Sequence, residues 1–204
     1  MSNDVLRTAV IGVGRMGRHH ARVYAQMPGA ELVGVVDHDV TRGADIVEEW
    51  GGTAWTSIDD LLAAGVDAVT IATPTVHHRA AAEQLLAAGV ACLIEKPLAP
   101  TAEDAAAIAL AADTAGVALQ VGHVVRYDPV MQAIKSLGVL RPRHLELHRI
   151  SPMTFRSVDV GVVLDMMIHD LDLLTMLVGE APEDIQANAV AVLGAAEDVC
   201  NVRM

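Results

Sequence analysis

Aromatic side chains are nearly missing from this sequence: two Trp, two Tyr and one Phe in 204 residues. With 52% hydrophobic content the core must then be built from Ala, Val, Leu and Met rather than from rings. Cysteine is as scarce. Cys92 and Cys200 are too few and too far apart to suggest a disulfide framework or a metal site, so a reducing, cytoplasmic setting and no bound metal are expected. Positive charge is short too. Fourteen Lys and Arg against 26 Asp and Glu leave a formal −12, which opposes non-specific binding to nucleic acid or to anionic membrane, so neither is an expected partner. The start, MSNDVLRTAVIGVG, lacks a basic segment followed by a long apolar run, so no secretory signal is expected. The most apolar stretch, residues 161–179, contains four acidic or histidine side chains, which argue against a membrane span.

What is present is a run of alternating short apolar strands and helical patterns. Residues 7–11 read as a buried strand running into Gly12-Val13-Gly14-Arg15-Met16-Gly17, which opens a helix reaching Met27. A second strand, 31–36, ends in Asp37. G-x-G-x-x-G alone is a weak signal, but strand, glycine loop, helix, strand and acid in this order describe a dinucleotide site. Gly12 allows the tight turn, Gly14 lets backbone approach a pyrophosphate and Gly17 lets the helix pack on the strand, with the N–H groups of Arg15 and Met16 at the helix start. Asp37, 20 residues after Gly17, would accept from a ribose 2′-hydroxyl and repel a 2′-phosphate, favouring NAD; Arg42 nearby keeps NADP possible.

The alternation continues with a helix over 41–50, a strand over 53–55, a helix capped by Ser57 and a strand over 68–71 that Thr73-Pro74 interrupts. Ligands of open α/β sheets bind beyond such strand ends, which makes Thr73 and Pro74 cofactor-facing candidates. His77 and His78 follow; each is either a further such candidate or ordinary surface at a helix start. A helix over 80–88 leads to a strand over 91–94 that delivers Glu95-Lys96-Pro97 to the same edge, where Lys96 is a candidate unless it is a plain surface lysine. A helix capped by Thr101 and a strand over 118–121 complete six strands, placing a boundary at residue 122. Beyond it, His123, Arg126 and Tyr127 form a candidate substrate wall before a helix ending at Ser136.

The pattern then changes. Residues 143–150 alternate as a strand, a loop carries Pro152 and Arg156, a helix spans 161–179, a strand spans 184–192 and a further one starts near 198. In the helix, Asp165, His169 and Asp172 recur at i, i+4 and i+7, one polar stripe among apolar neighbours. Such a stripe is either a local ion pair or a group facing a cleft. Two or three strands with one helix leave sheet edges unpaired, so a chain truncated within its second domain is expected.

Together the motifs GVGRMGRHHAR at 12–22, TPTVHH at 73–78, EKP at 95–97, VGHVVRYDP at 121–129 and LDMMIHDLD at 164–172 resemble the Gfo/Idh/MocA family of oxidoreductases along essentially the whole chain. The resemblance implies an N-terminal Rossmann domain, a doubly wound parallel sheet over 1–122, followed over 123–204 by the first part of an α+β domain with an open, mainly antiparallel sheet. It also implies homo-oligomers through that sheet when complete, and a catalytic group of Lys96, Asp165 and His169, with Glu95 and Lys96 beside the cofactor. The run 149–171 looks most like the UDP-N-acetylglucosamine 3-dehydrogenase branch, departing from it at Asp128, where asparagine is common, and at Val125, where glutamate is.

The chemistry implied is hydride exchange between a nicotinamide cofactor and a secondary alcohol of a sugar or sugar nucleotide. His169 would be the base, Asp165 would orient it, Lys96 would stabilise developing alkoxide and Arg126, Arg149 and Arg156 would hold a diphosphate. Asp172 is left a structural or supporting role. The rival readings are a non-catalytic dinucleotide-binding module and an inactive fragment.

Overall fold

The computed structural model describes residues 5–138, 142–152 and 161–204, and it divides into two compact units, 1–122 and 123–204. In the first, β1 (Leu6–Ile11), α1 (Arg15–Gln26), β2 (Ala30–Val36), α2 (Val40–Trp50), β3 (Thr53–Trp55), α3 (Ile58–Ala64), β4 (Ala68–Ile71), α4 (His78–Ala87), β5 (Ala91–Ile94), α5 (Ala102–Ala115) and β6 (Leu119–Val121) alternate as the sequence predicts. All six strands pair in parallel in the order β3-β2-β1-β4-β5-β6. The order reverses between β1 and β4, and that switch opens the crevice where open α/β sheets take ligands.

Side-chain alternation along β1 divides the core between the two faces of this sheet. Ala9 and Ile11 join a cluster with Leu61, Leu85, Leu86 and Ile108 from α3, α4 and α5. Val10 joins a smaller one with Ala21 and Ile46 from α1 and α2. Each fully buried aliphatic side chain of this size contributes roughly 1.5–3 kcal/mol of transfer free energy. Three rings sit at the margins of these clusters, Trp55 against the first and Tyr24 and Trp50 against the second. Tyr24 also needs a polar partner, and its hydroxyl lies 2.7 Å from Thr70 Oγ1; burial pushes the phenol upward.

Local chemistry sets the helix ends. Ser57 accepts the Asp59 N–H and Thr101 the Asp104 N–H, as expected of N-cap residues. Asp39 caps α2 in the same way. Of the two alternatives for His78, the surface one fails. His78 begins α4 after a short 3-10 turn, Thr75–His77, and is 1% exposed instead of lying at the surface. The cause is tertiary: its two ring nitrogens face the carbonyls of Leu98 and Thr73 at 3.2 and 2.9 Å.

The second unit contains α6 (Pro129–Ser136), α7 (Ile168–Val178), β7 (Gln186–Val190) and β8 (Val199–Arg203), the last two forming an antiparallel hairpin. Asp128 caps α6 by accepting the Val130 N–H, with Pro129 in the first turn, so aspartate serves there as asparagine would. Two sequence expectations fail. Residues 143–150 are not a strand: alternation alone does not make one without a neighbouring strand to complete the ladder, and none pairs with them among the described residues. Nor is 161–179 one α-helix. A π-turn, Val163–Met167, precedes α7, and the Ile168 N–H reaches the carbonyl of Val163 five residues back. Among the described residues no helix is long and apolar enough to cross a membrane.

Candidate functional site

The site in the first unit is built by backbone. At the end of β1 the Gly12 N–H donates to the Val36 carbonyl at 2.8 Å, while beyond β4 the Ala72 N–H donates to Ile11 at 2.8 Å. The two strand ends therefore meet, and a Cβ on Gly12, whose φ is +80°, would stand 2.8 Å from the backbone N of Thr73. Gly17 is tighter still, since a Cβ there would stand 1.8 Å from the Gly12 carbonyl oxygen. Gly14 is the opposite case, with nothing within 4 Å of where its Cβ would be. These are the three glycine roles expected from the spacing: turn, open approach and close packing.

A cofactor pyrophosphate fits these residues. Helix α1 starts without a side-chain cap and without an acidic residue in its first turn, so its first N–H groups and the positive end of its dipole face the open side of Gly14. Thr73 adds a buried hydroxyl oxygen that finds no hydrogen-bond partner among the described residues. Beside the loop, a cleft of about 470 Å³ is lined by Val13, Gly14, Arg15, Arg18, Arg42, Asp45 and Ile46. Arg15 and Met16, the first residues of α1, are exposed.

Asp37 lies where the sequence predicts, at the end of β2, but it also does something the sequence did not reveal. Its Oδ2 accepts the Val13 N–H at 2.8 Å and its Oδ1 the Asp39 N–H at 2.9 Å, so the carboxylate, 5% exposed as a residue, holds the glycine loop itself. A carboxylate offers about four lone-pair directions, which leaves acceptor capacity for ribose hydroxyls. Arg42 is drawn to the local acids, with Nη1 3.6 Å from Asp37 and Nη2 3.3 Å from Asp39.

At the next strand end, Glu95 and Lys96 are partly buried and the Lys96–Pro97 peptide is cis. Glu95 Oε1 lies 2.8 Å from His20 Nε2, and Oε2 accepts the Lys96 N–H at 3.2 Å. Burial pushes the Glu95 carboxyl up. The hydrogen bond and charge of His20, with the N–H and charge of Lys96, outweigh it and hold the carboxyl below the usual range.

In the second unit side chains, not glycines, set the geometry. Asp172 is buried, takes Arg126 Nε at 2.8 Å and a second, short bond from Arg126 Nη2, and has His123 Nδ1 at 3.7 Å. Arg149 grips Asp170 with Nη2 at 2.7 Å and Nε at 3.0 Å. Each carboxylate holds its arginine's guanidinium above the ordinary range. Asp165 lies in the π-turn and His169 is the second residue of α7; both are partly buried. Tyr127 is 67% exposed, with Lys135 Nζ 5.8 Å from its ring centre. Arg156 lies outside the described residues. Sequence reasoning missed the pairing of Arg126 with Asp172 and of Arg149 with Asp170, since it assigns both arginines to a diphosphate. A separation of 46 residues carries no periodic signal, although a buried acid on an apolar helix always requires a partner.

A doubly wound sheet with this loop is a dinucleotide-binding domain. Its residues 6–123 match the model of the GFO_IDH_MocA oxidoreductase family, described as an NAD-binding Rossmann fold. Over 199 residues the chain is 43% identical to the UDP-N-acetylglucosamine 3-dehydrogenase of Acidithiobacillus ferrooxidans, covering 98% of this chain and 63% of that one. A crystal structure of that enzyme superposes with a TM-score of 0.92, over 97% of this chain and 64% of the other. GenD2 of gentamicin A biosynthesis, solved in complex with NAD, gives a TM-score of 0.85 at 30% identity, over 98% of this chain and 62% of that one. The chain belongs to the Gfo/Idh/MocA family, and it spans under two thirds of the length of these relatives.

Proposed function

We propose that the complete protein is an NAD-dependent dehydrogenase that oxidises a secondary alcohol of a sugar nucleotide, with the C3 hydroxyl of UDP-N-acetylglucosamine as first candidate. The observation that carries the reading is the open Gly14 face at an uncapped helix start, beside the unpartnered Thr73 hydroxyl at the switch between β1 and β4. That arrangement suits a pyrophosphate. The substrate follows from the 43% identity to an enzyme named for that reaction, so it stands one step further from the geometry.

Gly12, Gly14, Gly17 and the N–H groups of Arg15 and Met16 would hold the pyrophosphate, and Asp37 the adenosine ribose, with NAD preferred because an anion at Asp37 repels a 2′-phosphate. Thr73, Pro74 and Glu95 would wall the nicotinamide side. The bound nicotinamide supplies a hydride acceptor. Lys96 would donate a hydrogen bond to the substrate oxygen and stabilise its developing charge. His169 would take the hydroxyl proton at an imidazole nitrogen, a task suited to a group whose ordinary value is about 6.5. Asp165 would fix the ring and offset the charge it gains. His123, Tyr127 and Arg156 are candidates for substrate contact. Arg126 and Arg149 would act differently from free phosphate ligands, because their guanidinium groups are already engaged by Asp172 and Asp170.

The test incubates the complete protein with NAD and a panel of sugar nucleotides and follows NADH. Reduction with UDP-N-acetylglucosamine supports the full reading. Reduction only with another sugar nucleotide keeps the dehydrogenase and replaces the substrate, and silence over the panel with NAD bound leaves the non-catalytic module in its place. His169→Ala and Lys96→Ala should keep NAD affinity while turnover falls by roughly a hundredfold or more, the scale of a lost general base or oxyanion donor.

A further inference from the structure

The histidine pair of the GRMGRHH segment has no part in the glycine loop, yet one of its members is drawn inward. His19 is exposed, while the side chain of His20 is 21% exposed and lies 2.8 Å from Glu95, itself 15% exposed. The contact spans 75 positions and joins the second turn of α1 to the end of β5. A third element closes the pocket around the carboxylate. A Cβ on Gly122, just beyond β6, would stand 3.1 Å from Glu95 Oε2, so backbone there packs directly against the acid. The charged groups acting on Glu95 are His20 from α1 and Lys96 from its own loop, while the β6 side meets it with the backbone of Gly122.

We propose that His20 is a positioning residue for Lys96, acting through Glu95. One carboxylate oxygen is fixed by the imidazole on the pyrophosphate-facing helix, and the other receives the Lys96 N–H, so the root of the lysine is tied to α1. The carboxylate also places a negative charge beside the lysine whose head group would stabilise the charge developing on the substrate oxygen. The inference rests on the reading of Lys96 given above. A neutral packing pair would need only shape; this arrangement needs the charge of Glu95 as well, and the two requirements separate in mutants.

The experiment uses the complete protein and His20→Ala, His20→Gln, Glu95→Gln and Lys96→Met, with NAD binding measured on each to report a folded nucleotide domain. Carboxyl-carbon and amide NMR first tests the linkage without any substrate. In the parent the Lys96 amide shift follows the Glu95 titration, and in His20→Ala that titration moves to higher pH. For turnover, His20→Ala lowers kcat by roughly ten- to a hundredfold, since a displacement of about 1 Å in a reacting group costs on the order of a hundredfold. Its acid limb moves up in pH, KM for NAD is unchanged, and His20→Gln, which can still donate to Glu95, recovers most of the rate. Glu95→Gln keeps the shape and loses both rate and acid limb. A Lys96 amide blind to Glu95, or a His20→Ala with parental kcat and pH profile, overturns the proposal. Full turnover in Lys96→Met instead overturns the role of the lysine, whatever His20 does.

Discussion

The two units solve the same problem, holding polar groups in a largely apolar chain, by different means. In residues 1–122 the polar groups that matter are mostly backbone, fixed where buried parallel strands end: Gly12 against Thr73, Gly17 against Gly12, Val13 on Asp37. In residues 123–204 they are side chains, fixed by charge: Arg126 on Asp172 and Arg149 on Asp170. Backbone geometry tolerates no change of shape, whereas ion pairs tolerate shape but depend on how far water reaches them. The nucleotide side should thus break sterically and the α7 side electrostatically.

Gly17→Val tests the steric half and has the largest expected effect. The added Cβ would overlap the Gly12 carbonyl oxygen at 1.8 Å, and neither backbone can yield without moving α1 off β1. A loss of about 3 kcal/mol or more is expected, with NAD binding abolished, read by thermal unfolding and calorimetric titration. Gly14→Ala is the control. It should fold normally, because its Cβ meets nothing within 4 Å, and weaken only the ligand.

The electrostatic half is tested by removing one arginine at a time. Arg126→Ala leaves Asp172, 8% exposed, without its guanidinium and with His123 Nδ1 3.7 Å away; since Arg126 itself is nearly half in water, about 2 kcal/mol is expected in place of the larger cost of a dry pair. Arg149→Ala frees Asp170, whose side chain water reaches more readily at 17% exposure, and should cost about 1 kcal/mol or less. Unfolding of each variant in denaturant gives both values. Equal losses would mean that depth of burial does not set the strength of these pairs. NAD affinity should be unaffected in either, unless the two regions are more dependent than the comparison holds.

Glu95 is a place where side-chain charge acts in the first unit, and pH reads it. Its folded carboxyl titrates below its unfolded value, so its contribution to stability is fully present above the unfolded value and is lost as pH falls through the folded one. Glu95→Gln should flatten the acid side of the stability profile of the nucleotide domain, and an unchanged profile would show that the His20 contact contributes nothing to folding.

The same contrast explains what was legible in the sequence. The strand, loop and helix order of the first unit is written in local signals: glycines at fixed spacing, Ser57 and Thr101 at helix starts, apolar runs of strand length. Glu95 with His20, Tyr24 with Thr70, and Asp37 with Val13 were not legible, because each pairs residues that only the sheet brings together. The burial of His78 was open in the sequence for the same reason. In the second unit, residues 143–150 carry the alternation of a strand, but a strand is a relation between two segments, and among the described residues the hairpin of β7 and β8 pairs only with itself. The Asp165–His169 spacing was visible, whereas the π-turn beneath it has no sequence signature that propensity could supply.

The two cysteines report on the two units with the least disturbance. Cys92 lies in β5, 3% exposed, and burial pushes its thiol up to about 12, so at neutral pH it is a neutral, enclosed group. Cys200 lies in β8 and is partly exposed. Thiolate is the reactive species, so a thiol reagent should modify Cys200 first and reach Cys92 only when the β5 core opens. Added NAD stabilises only the state that binds it, and at a hundredfold excess over its dissociation constant it should slow Cys92 labelling by about a hundredfold through roughly 2.7 kcal/mol of linkage. Labelling of Cys200 should hardly respond. If NAD protects both thiols equally, the units open together, and the division between a backbone-built and a charge-built half is a division of geometry but not of stability.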